Sequence, residues 1–141
     1  MMVILSTSPE ETAALGERIA ATLEGGEVIA LSGGLGAGKT VLAKGIARGL
    51  GIEDEVVSPS FTLIQEYTDG RLTLNHLDLY RLDSIEEFEM IGGEEYLYSD
   101  GVTIIEWAEK IGEILPPHMK RITITVEADQ HRTITIEGIR L

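Results

Sequence analysis

Residues Gly33 to Thr40 read Gly-Gly-Leu-Gly-Ala-Gly-Lys-Thr and follow, after Ser32, on the apolar run Val28-Ile29-Ala30-Leu31. The octapeptide fits G-x-x-x-x-G-K-[ST] and constrains the fold more than any other stretch of the chain. A backbone that wraps a phosphate with its N–H groups needs glycines, here Gly33, Gly36 and Gly38. Lys39 then supplies charge for the phosphate oxygens, and Thr40 a hydroxyl to hold Mg²⁺. Leu42, Ala43, Ile46, Ala47 and Leu50 continue with helical periodicity as far as Gly51. The loop is therefore expected at a helix N-terminus, where the helix dipole favours an anion. A glycine-rich turn with a solvated lysine would use the same residues, but the order of strand, loop and helix is that of a nucleoside triphosphate site.

The 141 residues fit one domain spanning 1–141 with a core of its own. There is no cysteine, which excludes a disulfide, a thiolate zinc site and a thiol nucleophile and is compatible with a reducing cytosol. No apolar run approaches the ~20 residues that span a bilayer, and the first residues lack a basic region followed by an apolar one. A soluble, cytoplasmic protein with no membrane contact is expected. The formal net charge of −13 repels phosphate backbones wherever Lys and Arg are not clustered, so direct binding of RNA or DNA by this chain alone is disfavoured. Solubility and docking to a basic partner both account for the acidity, and composition does not choose between them.

Along the chain, a short apolar start at Val3 to Leu5 precedes Ser8-Pro9-Glu10-Glu11, a helix opening with Ser8 as N-cap, Pro9 in the first turn and Glu11 closing a capping box. Leu15, Ile19 and Leu23 share one face before Gly25-Gly26. Phe61 to Tyr67 and Leu72 to Leu77, joined through Asp69-Gly70, read as an antiparallel pair. Ser84 with Glu87 opens a helix over Ile85 to Ile91, and Glu94 to Tyr98 gives a further turn. Val102 to Ile105 is a continuously apolar strand, Trp107 to Leu115 is expected to be helical before Pro116-Pro117, and Arg121 to Glu127 with Arg132 to Glu137 form a hairpin. Strands alternating with helices around a phosphate loop imply an α/β fold, a three-layer sandwich like that of P-loop NTPases, with a mixed, partly parallel sheet and ligand at the strands' carboxyl ends.

Such sites need a further acid at the end of a neighbouring buried strand to hold Mg²⁺ and position water. Glu106, after Val102 to Ile105, and Asp78, after Leu72 to Leu77, both qualify, although a carboxylate capping the next helix would look the same. Ser58-Pro59-Ser60-Phe61-Thr62 lies where nucleotide-sensing switch loops occur, and Ser60 and Thr62 could reach phosphate or metal; a plain Ser-Pro turn is equally consistent. His76 reads as hydrogen-bonded structure more than as a proton shuttle, Arg81 as a helix-flanking salt bridge more than a phosphate contact, and Trp107 as either a site or a core residue. Asn75-His76-Leu77-Asp78 lacks the lysine of the guanine-reading N-K-x-D motif, and no aspartate has a glycine three positions on, which favours ATP over GTP.

Taken together, Gly33 to Thr40, Ser58 to Thr62, His76-Leu77-Asp78-Leu79-Tyr80-Arg81 and Ile105-Glu106-Trp107 resemble the TsaE (YjeE) family in order and spacing over nearly the whole chain. The resemblance implies the ATPase of bacterial tRNA threonylcarbamoyladenosine synthesis, which works with TsaD and TsaB on adenosine 37, tRNA being held by those partners. It further implies that Gly33 and Leu35, Gly36, Ala37, Gly38, Lys39 and Thr40 hold the triphosphate, that Thr40 and Glu106 hold Mg²⁺, and that Asp78 supports metal and water. By the same resemblance Trp107 is required at the site, Ser58 to Thr62 form the switch, and the base packs near Pro9 and Thr12. Two positions depart from the family pattern: Gly34 stands where an acid is usual, and Ser60 where threonine is frequent. A small-molecule kinase and a non-catalytic nucleotide-binding module remain the rival readings.

Overall fold

The computed structural model describes residues 1–141. Its strands are β1 (Met2–Ser6), β2 (Val28–Gly33), β3 (Ile64–Tyr67), β4 (Leu74–Asp78), β5 (Val102–Glu106), β6 (Lys120–Val126) and β7 (Arg132–Glu137). They form one sheet in the order β1-β7-β6-β2-β5-β4-β3. The inner strands β6, β2, β5 and β4 run parallel to one another. Antiparallel pairs, β6 with β7 and β7 with β1 on one side and β3 with β4 on the other, complete the mixed sheet that the sequence implies.

Alternation along the buried strands decides the layers, because successive side chains point to opposite faces. Ile29 and Leu31 of β2 pack with Ile104, Ile122, Ile124, Ile134 and Ile136 under α1 (Pro9–Ala20) and α2 (Lys39–Gly49). Val28 and Ala30 pack on the opposite face with Leu77, Ile105, Phe88 and Leu97, beneath α3 (Ile85–Met90) and α4 (Glu94–Leu97). Burying a Leu, Ile or Phe side chain stabilises by about 1.5–3 kcal/mol, so these two cores hold the three layers together. The second helical layer covers the centre of the sheet, while Val3 and Leu5 of β1 stay exposed on that side. No helix is long and apolar enough to cross a membrane.

Helix α2 is pressed onto α1 at glycines. A Cβ on Gly45 would meet the Ala13 carbonyl oxygen at 2.2 Å, and one on Gly16 would meet Leu42 O and Ile46 N at 2.7 Å. The close approach fixes the helix whose first residue is Lys39. Arg71 adds a longer tie where α1 ends, donating to Leu23 O at 3.0 Å and to Ala20 O at 2.6 Å, the latter also accepting the Leu23 N–H.

Several boundaries differ from those read in the sequence. Ser8 caps α1 through the Glu11 N–H at 3.1 Å, but Glu11 reaches back to the Thr7 N–H at 2.9 Å, one residue before the cap; Glu87 treats Asp83 in the same way. The first β3 residue is Ile64, not Phe61, because Leu63 has φ 68° and its N–H turns back to Pro59 O. Phe61 is left 83% exposed. After β5, Trp107 has φ 61°, a conformation no α-helix accepts, and the chain runs on as 3₁₀ turns over Ala108–Ile114, kinked at Ile111.

Candidate active site

Parallel strands bring the carboxyl ends of β2, β5 and β4 to one edge, where ligands of open α/β sheets bind. Glu106 stands opposite Leu31 on one neighbour and Asp78 on the other. The phosphate loop leaves β2 there and enters α2, with Gly36 at φ 76° and Gly38 at φ 108°. Both angles lie in the left-handed region that glycine adopts freely, and they turn the backbone around the mouth of the site. Between loop and acids opens a cleft of about 830 Å³ that includes residues 33–41, Ser58, Ser60, Asp78, Tyr80, Arg81, Glu106 and Trp107.

Lys39 and Glu106 line the floor of the cleft, and His76 lies buried beneath Glu106. Lys39 Nζ lies 3.2 Å from Glu106 Oε1, and His76 Nε2 lies 2.7 Å from Glu106 Oε2. Burial pushes the Glu106 carboxyl up, but the hydrogen bond and attraction of His76, followed by the Lys39 ammonium, outweigh it and hold the group below the usual carboxylate range. Asp78, also buried, accepts the Tyr80 N–H at 3.0 Å and the Ser60 hydroxyl at 3.4 Å, and Ser60 meets the Ser58 hydroxyl at 2.7 Å. The cleft thus holds a hydroxyl, Thr40, and two carboxylates, Asp78 and Glu106. No group of three or more His, Cys, Asp or Glu side chains converges on a metal position. Mg²⁺ does not need one, since it is commonly bound by one or two carboxylates and substrate phosphates, and these hard oxygen donors fit it.

The rim is aromatic and cationic. Tyr80 and Trp107 rings lie 5.0 Å apart, and the Arg81 guanidinium sits 4.7 Å over Phe61 while donating to Ser60 O at 2.9 Å. Behind the loop a smaller pocket of about 170 Å³ is lined by Pro9, Thr12, Gly36 to Gly38, Gln130 and Arg132 among others. Arg132 donates to Ala37 O and Gly36 O, each at 3.2 Å, which ties the loop to the β6–β7 hairpin.

A loop of this sequence, backed by a lysine–glutamate pair and closed by a Trp after the strand-end acid, can be set against known proteins. The family model described as "Threonylcarbamoyl adenosine biosynthesis protein TsaE" matches residues 6–134. The chain belongs to the TsaE family.

Relatives of TsaE name cover nearly all of it. The protein named "tRNA threonylcarbamoyladenosine biosynthesis protein TsaE" in Treponema pallidum (strain Nichols) is 47% identical over 135 residues, 96% of this chain and 99% of the relative. The protein of the same name in Bacillus subtilis (strain 168) is 45% identical over 134 residues, 95% of this chain and 84% of the relative. The crystal structure of Bacillus subtilis YdiB superposes with a TM-score of 0.85 at 40% identity, covering 99% of this chain and 86% of that one.

Most of the residues singled out in the sequence converge. Gly33, Leu35, Gly36, Ala37, Gly38, Lys39, Thr40, Ser60, Asp78, Glu106 and Trp107 all line the main cleft, and Pro9 and Thr12 line the pocket behind the loop. Thr62 does not join them. Its hydroxyl accepts from Gln65 outside the cleft, because the turn that ends at Leu63 carries it away. Arg81 makes no salt bridge with a helix; it belongs to the rim. His76 is structural in the sense expected, fully buried and hydrogen-bonded, but its partner is Glu106. Arg132 and Gln130 were not visible as site residues. The available signal was periodicity: Arg132 falls in step with the buried Ile134 and Ile136, a charge on an apolar face.

Proposed function

We propose that this chain is a Mg²⁺-dependent ATP hydrolase that serves tRNA threonylcarbamoyladenosine synthesis in company with TsaD and TsaB proteins. The observation that carries the reading is the Lys39–Glu106 pair at 3.2 Å between loop and strand end, in a chain of the TsaE family. Loop N–H groups and Lys39 would bind the triphosphate, with the α2 N-terminus adding its dipole. Thr40, Glu106 and Asp78 are the residues that would hold Mg²⁺, which when bound neutralises charge on the phosphoryl oxygens. Asp78, held by the Tyr80 N–H and Ser60, would orient an attacking water, and its link through Ser60 to Ser58 would couple it to the conformation of the loop that bears them. Pro9, Thr12 and Arg132 offer a pocket for the base.

Three of the eleven basic residues, Lys39, Arg81 and Arg132, gather at these two pockets of an otherwise acidic protein. That distribution draws a polyphosphate to the cleft while disfavouring a nucleic acid elsewhere, so tRNA is reached through the partners. The test is phosphate release from ATP by the protein alone and with TsaB and TsaD from the same organism. Stimulation that disappears in Lys39→Ala supports the reading. Tight ATP binding without hydrolysis in the assembled complex would replace it with a nucleotide-gated binding module, and absence of any complex would favour a small-molecule kinase.

A further inference from the structure

The imidazole of His76 is fully buried, and its Nδ1 has no hydrogen-bond partner. Burying a polar ring with one nitrogen unmatched costs free energy that an apolar side chain of similar volume would avoid. The one polar contact the ring does make is therefore the informative one, and it is the 2.7 Å bond to Glu106 Oε2. The sheet explains how the two meet. His76 is paired with Ile104 in the β4–β5 ladder, and Glu106 lies two residues further along β5 on the same face, so the ring sits diagonally beneath the carboxylate.

Glu106 has a second partner, Lys39, on its other oxygen. That partner belongs to the phosphate loop, and a bound polyphosphate competes for its ammonium. His76 does not share this fate, since it lies within a strand and is closed off from the cleft. We infer that His76 is the positioning residue for Glu106: it holds the carboxylate turned toward the phosphate loop when Lys39 leaves it for nucleotide, and so sets the affinity of the site for nucleotide-bound Mg²⁺. This inference rests on the ATP and Mg²⁺ reading above. It differs from a packing role in one respect, because packing does not depend on whether metal accompanies the nucleotide.

The experiment is calorimetric titration of ATP in excess Mg²⁺ and again in EDTA, on the wild-type protein and on His76→Leu, His76→Asn and His76→Gln, with thermal melts of each. Leucine removes the donor, asparagine carries one too short to reach Glu106, and glutamine extends its amide to about the place of Nε2. Loss of a group that orients a metal ligand commonly costs about 10–100-fold in metal affinity or activity. The gain in ATP affinity conferred by Mg²⁺ should accordingly fall at least about tenfold in the Leu and Asn variants, with affinity in EDTA within about twofold of wild type, and glutamine should restore most of the gain. In hydrolysis the loss should appear as a raised half-saturating Mg²⁺ concentration and a raised KM for ATP in excess Mg²⁺.

Equal behaviour of Asn and Gln, or a wild-type Mg²⁺ gain in either Leu or Asn, would overturn the positioning role and leave the ATPase reading intact. If leucine prevents folding, the Asn and Gln pair decides alone. Wild-type protein that binds no ATP under either condition would overturn both readings together.

Discussion

Lys39 and Glu106 face each other at 3.2 Å, both largely withdrawn from solvent, so the loop's cation and the strand-end carboxylate offset one another's charge. On the proposed ATP hydrolase reading, Lys39→Ala should lower hydrolysis by about 10²–10³-fold, the usual scale for loss of one electrostatic contact to a transition state. Circular dichroism should show the fold retained, because Glu106 keeps its bond to His76. Hydrolysis at the wild-type rate would remove Lys39 from the mechanism.

Trp107 is the chain's only tryptophan, lies 39% exposed in the cleft wall and packs at a tilt against Tyr80. Its fluorescence should respond when ATP and Mg²⁺ are added, and the response should vanish in Lys39→Ala. An unchanged emission under saturating nucleotide would mean that the ligand does not approach this wall.

Gly34 has open space around a would-be Cβ and no left-handed φ, whereas Gly38 sits at φ 108°. Gly34→Glu should change stability by no more than about 0.5 kcal/mol. Gly38→Ala should cost about 1–2 kcal/mol through backbone strain and impair ATP binding. Denaturant melts and titration of both variants check the contrast.

The α1–α2 contact predicts a second glycine effect away from the cleft. A Cβ on Gly45 meets backbone at 2.2 Å, so Gly45→Ala forces the helices apart and should destabilise by about 1–3 kcal/mol, visible as a melting point lowered by several degrees. Gly112→Ala, with nothing within 4 Å of the new carbon, should leave the melt nearly unchanged.

Tyr96 donates its hydroxyl to Glu66, and that hydrogen bond, with burial and the nearby acids, pushes its pKa from 10.0 up to about 12. A group raised on folding contributes stability that is complete below its unfolded value and is lost as pH climbs through the folded one. Stability measured by denaturant should therefore decline between pH 10 and about 12 by an increment that Tyr96→Phe lacks. An identical decline in the variant would assign the alkaline loss to other groups.

The local units are legible in the amino-acid sequence. Alternating or continuous apolar runs marked β2, β5 and the β6–β7 hairpin; Ser8 and Ser84 marked the helix starts; and the glycines, Lys39 and Thr40 marked the loop. Those signals act within a few residues, through hydrogen bonds and side-chain periodicity that a short segment satisfies alone. Asp78 and Glu106 were legible for the same reason, as acids ending apolar strands. That β5 lies between β2 and β4, and with it that Glu106 stands between Lys39 and His76, follows from the folded sheet alone. The His76–Glu106 bond joins residues 30 apart, and Arg132 reaches Ala37 across 95. Contacts of that span depend on which strands become neighbours, a choice made by burial of the two cores together, and no segment of the chain contains it.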